Sequence, residues 1–261
     1  MLRLGREQYN QAAGLLEEAP FNVLMAQGVL TGRIQGEVIV DAPDPATVYV
    51  KHKYGMSWII GYGDDEGFRA DLVAVLADPG ARTSPEWLQV YPLDWTELLD
   101  PLVEMGRLTR WSRTNFWFNQ ARFLSRFPSD AESPRIIPCY ADLLDRFDGS
   151  VVPLHFWNST SEFLEDGTGF FVIDEGDPAA IGFSSHLDET HLEIGVETGP
   201  RFRGRGYAQA ACARVIHHCI ENGLVPVWSC RTENAASYHL AQKLGFVPVL
   251  QLPYYELPYS A

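Results

Sequence analysis

Arg201, Arg203 and Arg205 alternate with Phe202, Gly204 and Gly206 in one short stretch. In a chain of 261 residues with a formal net charge of −14, so local a basic cluster points to a small anionic ligand. Nucleic acid is not expected, because counterion release needs lysines and arginines spread over a surface. The glycines say how an anion would be held: the backbone can turn tightly and approach a ligand with no Cβ in the way. A helix pattern follows, with Ala208, Ala211, Cys212, Val215, Ile216, Cys219 and Ile220 on one apolar face and Gly223 as its stop. The first amides of that helix lack internal partners and lie at the positive end of its dipole, so a phosphate there is favoured twice over. The arginines can add charge-assisted contacts. Three ordinary surface arginines are the plain alternative, and the glycines weigh against it.

Two common phosphate cradles are excluded by spacing. No Gly-x-x-x-x-Gly-Lys-Ser/Thr run occurs, and Gly-x-Gly-x-x-Gly fails at Gln209. His217-His218-Cys219 has metal-ligand residue types, but neighbouring helix positions diverge and Cys219 belongs to the apolar face, so no metal is expected. Cys230 reads as a small core residue before it reads as an acyl-carrying nucleophile. With Cys139, Cys212 and Cys219 it forms no Cys-x-x-Cys pair or disulfide framework, which fits a reducing cytoplasm. No apolar run approaches a membrane span of about 20 residues. The first twenty residues read as an amphipathic helix without the apolar block of a signal peptide.

The elements that must position the loop follow from periodicity. Tyr140 to Phe147 and Ser159 to Leu164 look helical. Strands are expected at Phe170 to Ile173 and Ala180 to Phe183, turning across Asp174 to Pro178, and at Leu192 to Thr198. After the glycine loop and its helix come a strand at Val225 to Cys230, a helix capped by Asn234 and stopped by Gly245, and a short strand from Phe246 to Leu250. The N-terminal half repeats this order. Val38 to Ala46 matches Phe171 to Ala179 in residues and spacing, and Trp58 to Tyr62 falls where Leu192 to Val196 stands, shifted by one. A helix (Phe68 to Leu76), a strand (Trp87 to Tyr91) and a helix (Asp94 to Met105) complete the parallel. Where the second half has its arginines, the first has Gly63-Asp64-Asp65-Glu66-Gly67, whose carboxylates would repel phosphate. Phe127 to Pro134 is the natural linker, giving domains of 1–130 and 131–261.

The motif Arg201-x-x-Gly204-x-Gly206-x-Ala208 resembles the pyrophosphate-binding motif of the GNAT superfamily of N-acetyltransferases. Asn234 to Phe246, with Leu240-Ala241-Gln242-Lys243-Leu244-Gly245-Phe246 at its end, resembles that family's closing segment. The wording around Leu192 to Thr198 and Pro226 to Cys230 is similar to a subgroup containing zwittermicin A acetyltransferase-like proteins, which carries an extra N-terminal domain. The resemblance implies an α+β GNAT fold: a mixed, mostly antiparallel sheet flanked by helices, here as two tandem GNAT-like domains of which the first is degenerate and lacks the phosphate loop. It also implies acetyl-CoA as cosubstrate and a small-molecule amine as acceptor, with direct transfer in a ternary complex. By resemblance, Val196, Glu197 and Thr198 face the pantetheine arm; Arg203, Gly204, Arg205, Gly206, Tyr207 and Ala208 bind the pyrophosphate; Asn234 and Ser237 line the cofactor.

Acetyl transfer to an alkyl amine of pKa about 10.4 requires a base. An oxyanion can be met by a backbone N–H near Val196, and a thiolate of pKa about 8.5 leaves with little help. Strand alternation puts Glu193 and Glu197 on one face, and family members often place a glutamate on this strand, which makes Glu193 the expected base. Many members carry a tyrosine four residues before the closing glycine, as general acid; Ala241 stands there, and Tyr238 is nearly a helical turn away. That departure supports a second reading, a non-catalytic module that senses coenzyme A or serves a partner. An enzyme of nucleotides or phosphosugars is a third.

Overall fold

The hairpin expected across Asp174 to Pro178 closes in only two residues. Glu175 and Gly176 both take positive φ, 52° and 85°, the backbone of the tightest antiparallel turn. The strand after it therefore starts at Asp177, earlier than the pattern predicted. The matching stretch of the first half cannot turn this way, because Pro43 stands where Gly176 does and its ring forbids positive φ. There Asp41 Oδ1 instead accepts from the amides of Ala42, Ala46 and Thr47 and organises a longer loop.

The computed structural model describes residues 1–128 and 135–260; positions 129–134 of the expected linker lie outside the described residues. Two compact units emerge, residues 1–114 with 231–233 and 250–261, and residues 115–230 with 234–249. The division falls before the expected 130/131 boundary, and the strands Thr109–Phe118, Val225–Arg231 and Phe246–Leu257 each contribute residues to both units.

In the first unit, β1 (Leu2–Arg3) is followed by a 3-10 helical segment (Arg6–Glu18), where an α-helix was expected; Asn10 and Gly14 are poor α-helix formers within it. Next come α1 (Leu24–Leu30), β2 (Gly36–Val40), β3 (Val48–His52), β4 (Met56–Ile60), α2 (Glu66–Ala77), β5 (Glu86–Tyr91), α3 (Trp95–Glu104) and β6 (Thr109–Phe118). Strands β1 to β4 are antiparallel neighbours, β4 and β5 are parallel, and β5 takes the end of the last strand as an antiparallel partner. Ile59, Phe68, Leu72, Leu88, Trp95 and Leu99 fill the core between this sheet and α2 and α3.

In the second unit, α4 (Gln120–Leu124), β7 (Ile136–Pro138), α5 (Ala141–Asp145), α6 (Pro153–Phe156) and α7 (Thr160–Asp166) precede β8 (Gly169–Asp174), β9 (Asp177–Leu187) and β10 (His191–Thr198). Then follow α8 (Tyr207–Glu221), β11 (Val225–Arg231), α9 (Ala235–Lys243) and β12 (Phe246–Leu257). Strands β7 to β10 are antiparallel in order, and β10 and β11 are parallel. The apolar face read from the sequence of α8 is the one buried: Cys212, Val215, Ile216 and Cys219 pack with Leu192, Ile194, Trp228 and Phe246. Strand β12 runs seven residues beyond the expected end at Leu250, because its Tyr255 to Leu257 stretch pairs with Leu88 to Glu86 of β5 in the first unit.

Both units thus run β-β-β-α-β-α-β, from β2 to β6 and from β8 to β12, with the third strand parallel to the fourth across a helix. The repeat expected from sequence is a repeat of topology.

Candidate functional site

The parallel ladder between β10 and β11 is short. It runs from His191–Val225 to Glu193–Val227 and stops there, although β10 continues to Thr198 and β11 to Arg231. The strands part at Glu193, and the same point carries an irregularity toward β9: Glu193 pairs with His186, Ile194 with Ser184, and Ser185 is the extra residue. Such a bulge bends a strand and re-aims its neighbours.

A cleft of about 650 Å³ follows the divergence. Its walls are the end of β10 (Val196, Glu197, Thr198), the loop Phe202, Arg203, Gly204 and Gly206, the first turn of α8 (Tyr207, Ala208, Gln209) and one side of α9. Gly206 caps α8 in the left-handed conformation, φ 82°, and no side chain closes the helix end. Gly204, φ 79°, is also left-handed, and a Cβ built on either glycine meets no atom within 4 Å. The cradle is open, Gly206, Tyr207 and Ala208 lie on the cleft wall, and helix-start amides without a side-chain cap suit a diphosphate. The first unit makes the contrast: Asp65 Oδ1 accepts from Phe68 N at 2.9 Å and closes the start of α2 with a carboxylate.

The three arginines divide. Arg203 lines the cleft; its guanidinium lies 3.9 Å from Glu197 Oε1. Arg201 is bridged to Asp177 and stacks on Phe202. Arg205, expected among the phosphate contacts, is turned to Asp174 Oδ2 at 2.9 Å and is not among the residues of the cleft wall. Asn234 Oδ1 accepts from Ser237 N at 3.2 Å, capping α9, and Asn234 lies on the cleft wall. Ser237 Oγ accepts from Trp228 Nε1 at 3.2 Å.

Glu197 and Glu193 part company. Glu197 lines the cleft and its Oε2 accepts from Ser150 N, Ser150 Oγ and Val151 N, which draws those two residues into the wall. Glu193 is buried, 3% exposed, with Ser229 Oγ 3.3 Å from its Oε1, and it is not on the wall. Leu192 and Ile194 pack with α8, so Glu193 projects from the other sheet face, at the apex where the strands separate.

Sequence reasoning missed Ala236, His239, Leu240 and Lys243, which line the cleft from α9. Their i, i+3, i+4, i+7 spacing was the available signal. Ser150 and Val151 had none, since only the fold carries them to Glu197. Ala241, in the place of the family tyrosine, is fully buried beside Leu244 and Phe246. Tyr238 packs edge-on against Phe116, ring centroids 5.2 Å apart. His217 and His218 go separate ways, to Phe123 and Phe170, and burial followed by the nearby Arg214 charge lowers the pKa of each. Burial pushes the Cys219 thiol up to about 12.

A family model described as GNAT acetyltransferase matches residues 21–255. The chain belongs to this family. It is 27% identical over 231 residues to the uncharacterized N-acetyltransferase YdfB of Bacillus subtilis, with 87% of each chain covered. Among solved structures it resembles a GCN5-related N-acetyltransferase-like protein from Streptococcus suis (TM-score 0.72, 20% identity, 96% of this chain and 98% of that one). It also resembles a tandem GNAT protein from the clavulanic acid biosynthesis pathway (TM-score 0.62, 11% identity, 98% and 97%). The GNAT fold and its tandem repetition account for the doubled β-β-β-α-β-α-β succession. The second unit has the parted strands and the glycine loop; in the first, β4 and β5 stay paired from Met56 to Ile60 and Asp65 caps the helix that follows. Among the described residues no helix is long and apolar enough to cross a membrane.

Proposed function

We propose that the protein transfers the acetyl group of acetyl-CoA to the amine of a small molecule, directly, in a ternary complex. The observation that carries this reading is the parting of β10 from β11 beside an uncapped helix start, a cleft with a polar strand edge at one end and free amides at the other. Val196 to Thr198 hold the pantetheine arm, the main chain of Arg203 to Ala208 with the Arg203 side chain holds the diphosphate, and Asn234 and Ser237 flank it. The acetyl carbonyl then lies near the apex. There the acceptor nitrogen forms the new C–N bond, Glu193 takes the proton, and the C–S bond breaks to release the thiolate. Its modest pKa makes a dedicated acid unnecessary. The acidic chain favours a cationic acceptor by long-range attraction. Residues 1–130 then serve as the degenerate partner domain of a zwittermicin A acetyltransferase-like architecture, residues 131–261 as the catalytic one, in a reducing cytoplasm.

The test is release of free coenzyme A thiol from acetyl-CoA across a panel of small amines. Amine-dependent turnover supports the transferase; saturable coenzyme A binding with no turnover on any amine supports the sensor, which the buried alanine at position 241 favours. No protection of the folded state by coenzyme A would reject both, since a ligand at 100 times its Kd should stabilise by about 2.7 kcal/mol.

Lys243 offers a smaller test. It lines the cleft, and its ammonium makes no hydrogen bond or ion pair among the described residues. Lys243→Gln should weaken coenzyme A binding by roughly three- to tenfold at low salt, and the difference should shrink as salt screens an exposed charge. Titration calorimetry at two ionic strengths checks it.

A further inference from the structure

Asp174 ends β8, 8% exposed, immediately before the two-residue turn. Its Oδ2 accepts from Arg205 Nη1 at 2.9 Å and from the Tyr207 hydroxyl at 2.8 Å. These two residues flank Gly206, the left-handed residue at which α8 begins. A single carboxylate oxygen therefore grips the glycine turn on both sides. Three residues on, Asp177 takes Arg201 on one oxygen and Arg146 on the other. The Arg201 and Arg205 guanidinium groups both lie over the ring of Phe202, 4.6 and 5.7 Å from its centroid. In the first unit the aspartate at the matching position, Asp41, accepts among the described residues only from amides of its own loop. The reach of Asp174 across to another element is thus particular to the unit with the open cradle.

We propose that the β8–β9 turn is a brace for the glycine loop, with Asp174 as its positioning residue, and that Arg205 and Tyr207 act through Asp174 to fix the loop's main chain in its anion-binding shape. Arg205 is then no phosphate ligand. The motif's positive charge is partly spent on the protein's own carboxylates, and the diphosphate is held by oriented amides and Arg203. A loop with two left-handed glycines is costly to order, and ordering it before the ligand arrives raises affinity without adding a contact.

This inference rests on the coenzyme A reading, and the sign of one measurement separates it from its opposite. If Arg205 were a ligand held back by Asp174, Asp174→Asn would release a cation and tighten coenzyme A binding. As a brace, Asp174→Asn should weaken binding about tenfold, the scale of losing charge-assisted hydrogen bonds from one buried carboxylate, while kcat at saturating acetyl-CoA stays within about twofold. Arg205→Gln should weaken binding to a similar extent, and the double variant should lose no more than either single one. Tyr207→Phe, which removes one hydroxyl, should lose part of the same effect and provides the test if Asp174→Asn does not fold. Unchanged or tighter binding in Asp174→Asn, or a further loss when Arg205→Gln is added to it, overturns the brace. Failure of the unaltered protein to bind coenzyme A strikes the underlying reading instead.

Discussion

Gly204→Glu is expected to abolish coenzyme A binding while leaving the protein folded. The residue has φ 79°, and an added Cβ meets nothing within 4 Å, so no neighbour is displaced. The backbone term is the left-handed conformation, about 1–2 kcal/mol for a residue with a Cβ, within the usual range of a surface change. The effect on the ligand is larger. The new side chain projects into the space the diphosphate must enter, and a carboxylate about 4 Å from one phosphate charge is repelled by roughly 4 kcal/mol at the effective dielectric of a protein surface. At about 1.4 kcal/mol per tenfold, that alone weakens binding by two to three orders of magnitude. Circular dichroism and melting should show a native fold, and calorimetry should show no heat of binding. A variant that binds coenzyme A as the parent does would place the diphosphate elsewhere.

Glu193→Gln should lower kcat by about 10²- to 10⁴-fold, the usual worth of a general base, with the acetyl-CoA KM nearly unchanged because the loop is untouched. The substitution keeps shape and keeps an oxygen for the Ser229 hydroxyl now 3.3 Å away. It removes only the capacity to take a proton. The buried position makes the experiment informative, since a merely structural carboxylate at the apex would lower stability and leave turnover per folded molecule intact. Steady-state kinetics beside a melting curve distinguishes the two, and unaltered kcat would remove Glu193 from the chemistry.

The loop and its helix were legible in the sequence because both are local. Positive φ asks for glycine at 204 and 206, and a buried stripe asks for apolar residues at helical spacing from Ala208 to Ile220. The same locality gave the end caps at Asn234 and Gly245. Strand β12 was under-read: its Tyr255 to Leu257 end pairs with β5, more than 150 positions away, and no local pattern carries that. The repeated Asp-x-x-Asp-Pro wording was legible as a repeat and misleading as a turn, since one residue, Pro43 against Gly176, decides which backbone is allowed.

Side-chain allegiance was the part that sequence left open. Three arginines in a row of alternate positions look equivalent, yet Asp174 and Asp177 claim two of them from a hairpin nearly thirty residues upstream. Glu193 and Glu197 share a strand face, yet one is buried at the apex beside Ser229 and the other holds Ser150 and Val151 at the cleft wall. By itself the chain's residue order determined the family, the repeated succession of elements and the glycine turn that opens α8, because each is written in neighbouring residues. Which charges remain available to a ligand, and where two parallel strands let go of each other, was decided only by tertiary structure, because both depend on partners that meet through space.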